Sequence, residues 1–92
     1  MRRDAAEMLA LDALAWLAEA EERIGPFLAE TGLASDDIRR RAAEPEFLGF
    51  VLDHLLQDEA RLLAFCAARD HAPEAPARAR AALPGGADPH WT

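Results

Sequence analysis

The soft or borderline metal ligands of this chain are few: His54, Cys66, His71 and His90. None stands at Cys-x-x-Cys or His-x-x-x-His spacing, which would place two donors on one side of an ion. His54 and Asp58 share a helix face four residues apart, yet an Asp at that position reads first as a helix cap. No metal and no cofactor are expected. Cys66 lies within an apolar helical pattern, which predicts a buried, inert thiol rather than a nucleophile. Glu21, Glu22 and Glu59 are candidate catalytic carboxylates, but acids at helix starts ordinarily serve the helix dipole and solubility. No Ser-His-Asp order, glycine-rich phosphate loop or nucleophile elbow occurs, and Gly85-Gly86 is a helix exit rather than a phosphate cradle. The chain reads as a protein without catalysis.

Two features point instead to contacts with another molecule. Arg39, Arg40 and Arg41 form the sharpest run of charge, although Asp36, Asp37 and Glu44 flank it and offer local pairing on a solvated face. Trp91 sits near the terminus with no periodic context. It either docks back on the body or anchors a partner. These four residues are the candidate partner contacts.

Composition sets the frame that must position them. The 92 residues suit one domain with a modest core. Apolar residues reach 51%, dominated by the helix formers Ala and Leu. Only Ile24, Thr31, Ile38, Val51 and Thr92 are β-branched, so an all-α fold is expected. Every basic residue is Arg, and the net charge is −7. A negative field disfavours nucleic acid and anionic membrane surfaces as partners. Asp4, Glu7 and Asp12 interrupt any leader-like apolar run after Arg2-Arg3. With a single cysteine, the expected location is the cytoplasm.

Periodicity and caps predict six short helices. The first starts near Asp4 as N-cap and buries Met8, Leu11, Leu14, Ala15 and Ala18, with Leu9 and Trp16 on a second apolar strip. It breaks near Glu19–Glu21, leaving Pro26 early in the second helix, which carries Phe27 and ends at Gly32 in a left-handed cap. Ser35 caps the third. Pro45 opens the fourth, a central helix carrying Leu52 and Leu55. Asp58 caps the fifth, which buries Leu62, Leu63, Phe65 and Cys66. The sixth runs from Pro73 to about Leu83. Leu14, Trp16, Leu17, Phe27, Leu52, Leu55, Phe65 and Cys66 form the expected core. A tail over residues 85–92 is expected to fold back, with Pro89, His90 and Trp91 against the first helix.

Residues 14–43 and 52–81 align at an offset of 38 with nine identities in thirty positions. Leu14, Leu17, Glu21, Arg23, Phe27, Ala29, Ala34, Arg40 and Ala43 recur as Leu52, Leu55, Glu59, Arg61, Phe65, Ala67, Ala72, Arg78 and Ala81. Chance would supply about four in a chain this rich in Ala and Leu. The expectation is two similar three-helix halves, over about residues 5–43 and 44–83. Copy two replaces Ile38 by Pro76, so its third helix is expected to pack more loosely.

Ala15-Trp16-Leu17-Ala18, Phe27-Leu28-Ala29-Glu30-Thr31-Gly32-Leu33, Phe65-Cys66-Ala67, Leu83-Pro84-Gly85-Gly86 and His90-Trp91 together resemble a family of small proteobacterial proteins catalogued only as a domain of unknown function. The resemblance covers nearly the whole chain. It implies no activity, cofactor or catalytic residue, and it tilts the expectation toward a role near response-regulator signalling. The expected function is an interaction or accessory regulatory module, binding itself or another protein. Self-association would bury the apolar excess at Leu9, Trp16, Leu48 and Leu56. The alternative is a small ligand-binding or catalytic bundle with a pocket between the halves near Trp16 and Phe65.

Overall fold

Local capping chemistry marks several helix boundaries in the computed structural model, which describes residues 1–85. The described residues form six α-helices and no strand: α1 (Arg3–Ala18), α2 (Glu21–Thr31), α3 (Ser35–Arg41), α4 (Pro45–Leu56), α5 (Glu59–Arg69) and α6 (Ala75–Ala81). Pro45 occupies the first position of α4, where its missing N–H costs nothing. The Asp58 carboxylate caps α5, accepting from the Ala60 and Arg61 amides at 2.9 and 3.3 Å. Gly32 ends α2 in the left-handed conformation, φ 76°. Asp70 ends α5 the same way, φ 60°.

Three boundaries differ from expectation. Asp4 lies inside the first turn of α1, and Arg2 is the N-cap without a side-chain bond. Ser35 is the first residue of α3 rather than its cap; the Asp37 carboxylate instead accepts from the Ala34 amide at 3.1 Å. Pro73 lies in the turn before α6, which begins at Ala75 and ends at Ala81.

The core lies where α1, α4 and α6 meet, with α2 packed on α1 and α5 on both α1 and α4. Leu14, Trp16, Leu17, Phe27, Leu52, Leu55, Phe65 and Cys66 are all buried. Leu63 is not: it is exposed on the outer side of α5. The expectation for the third helices is reversed. No residue of α3 is buried, whereas α6 buries Pro76 and Ala79 between α1 and α4. Small side chains on α6 let it approach closely, and the Ser35–Arg41 segment is too charged to do so.

The Arg80 guanidinium spans the gap between α6 and α4. It donates to Asp53 at 2.6 and 3.2 Å and to the Pro84 carbonyl at 2.9 Å. Gly49 makes room for it: a Cβ there would lie 2.8 Å from Arg80 Nη1. This proximity predicts a change of sign. Gly49→Ala should destabilise the parent by displacing a pinned guanidinium. In an Arg80→Ala background the same change should stabilise by about 0.5–1 kcal/mol, the ordinary helix preference of Ala over Gly. Urea midpoints of the four proteins check this; the same sign in both backgrounds would contradict it.

Several contacts recur at the offset of 38. Helices α2 and α5 both start and end 38 residues apart (21 and 59, 31 and 69). Arg23 donates to the Trp16 carbonyl at 2.7 Å, and Arg61 donates to the His54 carbonyl at 2.6 Å. Each bond thus gives a guanidinium donor to a carbonyl in the last turn of α1 or α4; the Trp16 carbonyl also accepts from the Glu19 amide at 3.3 Å. The Trp16 ring packs edge-on against Phe65, centroids 5.7 Å apart, and His54 packs edge-on against Phe27 at 5.2 Å.

Candidate functional site

The N-terminal helix carries the feature that stands out. It buries Ala6, Leu9, Ala10, Ala13, Leu14, Trp16 and Leu17. The strip expected to be buried is therefore split. Leu14 is interior, but Met8 is 71% exposed, Leu11 is 42% exposed, and Ala15 and Ala18 are exposed as well. The supposed second strip, with Leu9 and Trp16, is the one that faces the core. The apolar excess expected at Leu9, Trp16 and Leu48 is absorbed internally, since all three are buried, and Leu56 is half-buried.

Two open grooves flank this strip. One, of about 500 Å³, has an apolar floor of Leu11, Leu14, Ala15, Ala18, Ile24 and Ile38, with Ser35 and Arg39 on its rim. The other, of about 700 Å³, runs along Met1, Ala5, Met8 and Leu9 to Asp12, His71 and Ala75. The Asp12 carboxylate meets His71 Nε2 at 2.8 Å and Arg69 Nη1 at 2.8 Å, and Arg69 also pairs with Glu19. His71 is stacked on Phe65, ring centroids 5.0 Å apart. The Asp12 cluster ties the loop after α5 to α1 and borders the second groove.

The arginine run divides. Arg40 pairs with Asp37, and Arg41 pairs with Glu44 at 2.9 Å. Arg39 makes no ion pair among the described residues and lies instead on the groove rim. Trp91, and the expected docking of Pro89, His90 and Trp91, fall outside the described residues. The position between Trp16 and Phe65, where a pocket was the alternative, is filled by the two rings in contact.

The remaining candidates for chemistry are dispersed. Glu21, Glu22 and Glu59 are exposed in the first turns of α2 and α5. Cys66 is buried, its thiol 3.6 Å from the Ala72 carbonyl. Burial pushes the thiol pKa up, and the Glu74 charge adds to the effect. Among the described residues, no group of three His, Cys, Asp or Glu side chains is placed to hold a metal. None of the described helices is long and apolar enough to cross a membrane.

His54 is 3% exposed, and its Nδ1 lies 2.9 Å from Glu30 Oε1. An ionised carboxylate only accepts, so Nδ1 carries the proton and donates. Nε2 is buried without a partner among the described residues. The hydrogen bond from His54, followed by one from Gln57, holds the Glu30 carboxyl below its ordinary value of 4.5. A depressed carboxyl pKa stabilises the fold above the unfolded value, and that contribution is lost as pH falls through the folded value. Glu30→Gln should therefore lose stability at neutral pH, with the gap from the parent closing below about pH 4.5. Chemical denaturation at stepped pH checks this; a pH-independent gap would contradict it.

An all-α bundle with an exposed apolar helix face defines the class. Within it, the chain belongs to the family described as Protein of unknown function (DUF3572), whose family model matches residues 3–86. No curated protein and no solved structure matches the chain.

Sequence reasoning had no means of finding the Asp12–His71 and Asp12–Arg69 contacts, which join residues 59 and 57 positions apart. The exposed Met8 and Leu11 carried a signal, since two apolar strips compete on one helix and only one can face a single core.

Proposed function

We propose that this chain is a protein–protein interaction module without catalysis of its own, acting as an accessory in a regulatory system of the cytoplasm. The observation that carries the reading is the exposure of Met8 and Leu11 in line with Ala15 and Ala18 on α1. Positions 8, 11, 15 and 18 alternate steps of three and four, the spacing by which one helix seats against another. The grooves on either side widen this strip to receive side chains of a partner helix. We also read the two halves as a duplicated unit. The matched Arg23 and Arg61 bonds support this, as does the crossed pairing of Trp16 with Phe65 and His54 with Phe27, which a two-fold relation between halves would produce.

Photo-cross-linking in the native cell tests the functional reading. A photoreactive residue at position 11 should form protein adducts, and the same residue at exposed Ala60 on α5 should not. Adducts at position 11 should map to an amphipathic helix. No adduct from position 11, or equal adducts from both positions, would contradict the assignment.

A further inference from the structure

The occupant of this face can be argued further, on the reading that the face is an interface. Continuing the seam by one step of four toward the N-terminus reaches Asp4, which is exposed. Its only ion-pair partner among the described residues is Arg2 at 3.4 Å, and both side chains are at least three-quarters exposed. Such a pair contributes little and is readily exchanged. At the other end of the seam, Arg39 lies beside Ala15 and Ala18 with no ion pair among the described residues. The face thus presents an acid at its N-terminal end, a base at its C-terminal end, and apolar residues between them, with Leu11 near the middle.

We propose that this face binds a second copy of the chain, with the two α1 helices antiparallel about a two-fold axis near Leu11. Antiparallel pairing sets the N-terminal half of each seam on the C-terminal half of the other. Met8 then lies against Ala15 of the second copy, a large side chain against a small one, which allows close approach. Arg39 of each chain lies over Asp4 of the other, so the axis forms the ion pair twice. This is the self-complementarity that a two-fold contact requires, because each residue contacts its opposite number's partner in both directions. A parallel arrangement would instead stack Asp4 on Asp4 and Arg39 on Arg39, which like-charge repulsion disfavours.

Sedimentation equilibrium of the full chain from about 1 μM to 1 mM gives the test. The parent should pass from monomer to dimer mass across this range. Leu11→Arg, which sets two cations facing each other across the axis, should weaken the dimer at least about tenfold. Arg39→Asp and Asp4→Arg should each weaken it about fivefold, since each breaks both copies of the pair. The double variant should restore the parent affinity. All three positions are exposed, and unchanged helicity by circular dichroism confirms that each variant folds. A parent that stays monomeric at 1 mM overturns the proposal, as does a dimer indifferent to Leu11→Arg or a double variant no better than the singles. A monomeric parent that still cross-links from position 11 to a different protein overturns self-pairing alone and leaves the interaction reading standing. Loss of both signals overturns both.

Discussion

Phe27→Ala and Phe65→Ala should each lower the unfolding free energy by about 3–5 kcal/mol, the cost of emptying a ring-sized space that the surroundings cannot refill. Both rings are fully buried. Phe27 lies edge-on to Phe47 and His54, and Phe65 lies edge-on to Trp16 and stacked with His71. Phe27 joins α2 to α4 and Phe65 joins α5 to α1, so the loss of either ring opens a contact between helices as well as a local void. Denaturant unfolding at one temperature measures both. Matched losses would support the proposed duplication. A loss under about 1 kcal/mol at either position would mean that the helix contact there does not depend on its ring.

Arg23→Leu and Arg61→Leu should each cost about 1–3 kcal/mol, because a carbonyl in the last turn of α1 or α4 loses its guanidinium donor while the rest of the fold stays in place. Arg23 also sets its guanidinium carbon 4.6 Å from the centre of the Trp16 ring. That contact adds a cation–π term which Arg61, beside His54, lacks. Arg23→Leu should therefore be the larger of the two losses. Arg→Lys at either site should recover only part, since a compact ammonium reaches one acceptor without the planar fork. Equal stability of Arg61→Leu and parent would remove the assigned role of that bond.

Much of the helix plan was legible because its signals are local. Pro45, Asp58 and Gly32 each act within one turn of where they stand, so their positions in sequence are their positions in structure. The early break after Ala18 was legible from the offset of 38, by analogy with Asp58. Which face of α1 turns inward was not legible. Ala6, Ala10 and Ala13 carry little hydrophobic weight, yet they line the buried side, where their size lets neighbouring helices approach. Met8 and Leu11 weigh more in any hydropathy pattern and lie outside. The choice depends on how α6 docks, and that is set by residues more than sixty positions away. The same nonlocality hid the Asp12–Arg69–His71 cluster. Pro76 misled for a related reason: a proline reads as a weakening of a helix, but in the first turn of α6 it is an apolar side chain without a backbone cost.

The open face of α1 is the central claim, and methionine footprinting reads it directly. The chain has two methionines, Met1 and Met8. Peroxide oxidises a thioether at a rate set by its exposure. In purified protein at nanomolar concentration, Met8 should oxidise nearly as fast as in a denatured control. Inside the native cell, with the face covered, Met8 oxidation should slow several-fold relative to a free peptide standard in the same cells. Met8 oxidising as freely in the cell as in dilute solution would mean that nothing covers the face, and would contradict the assignment.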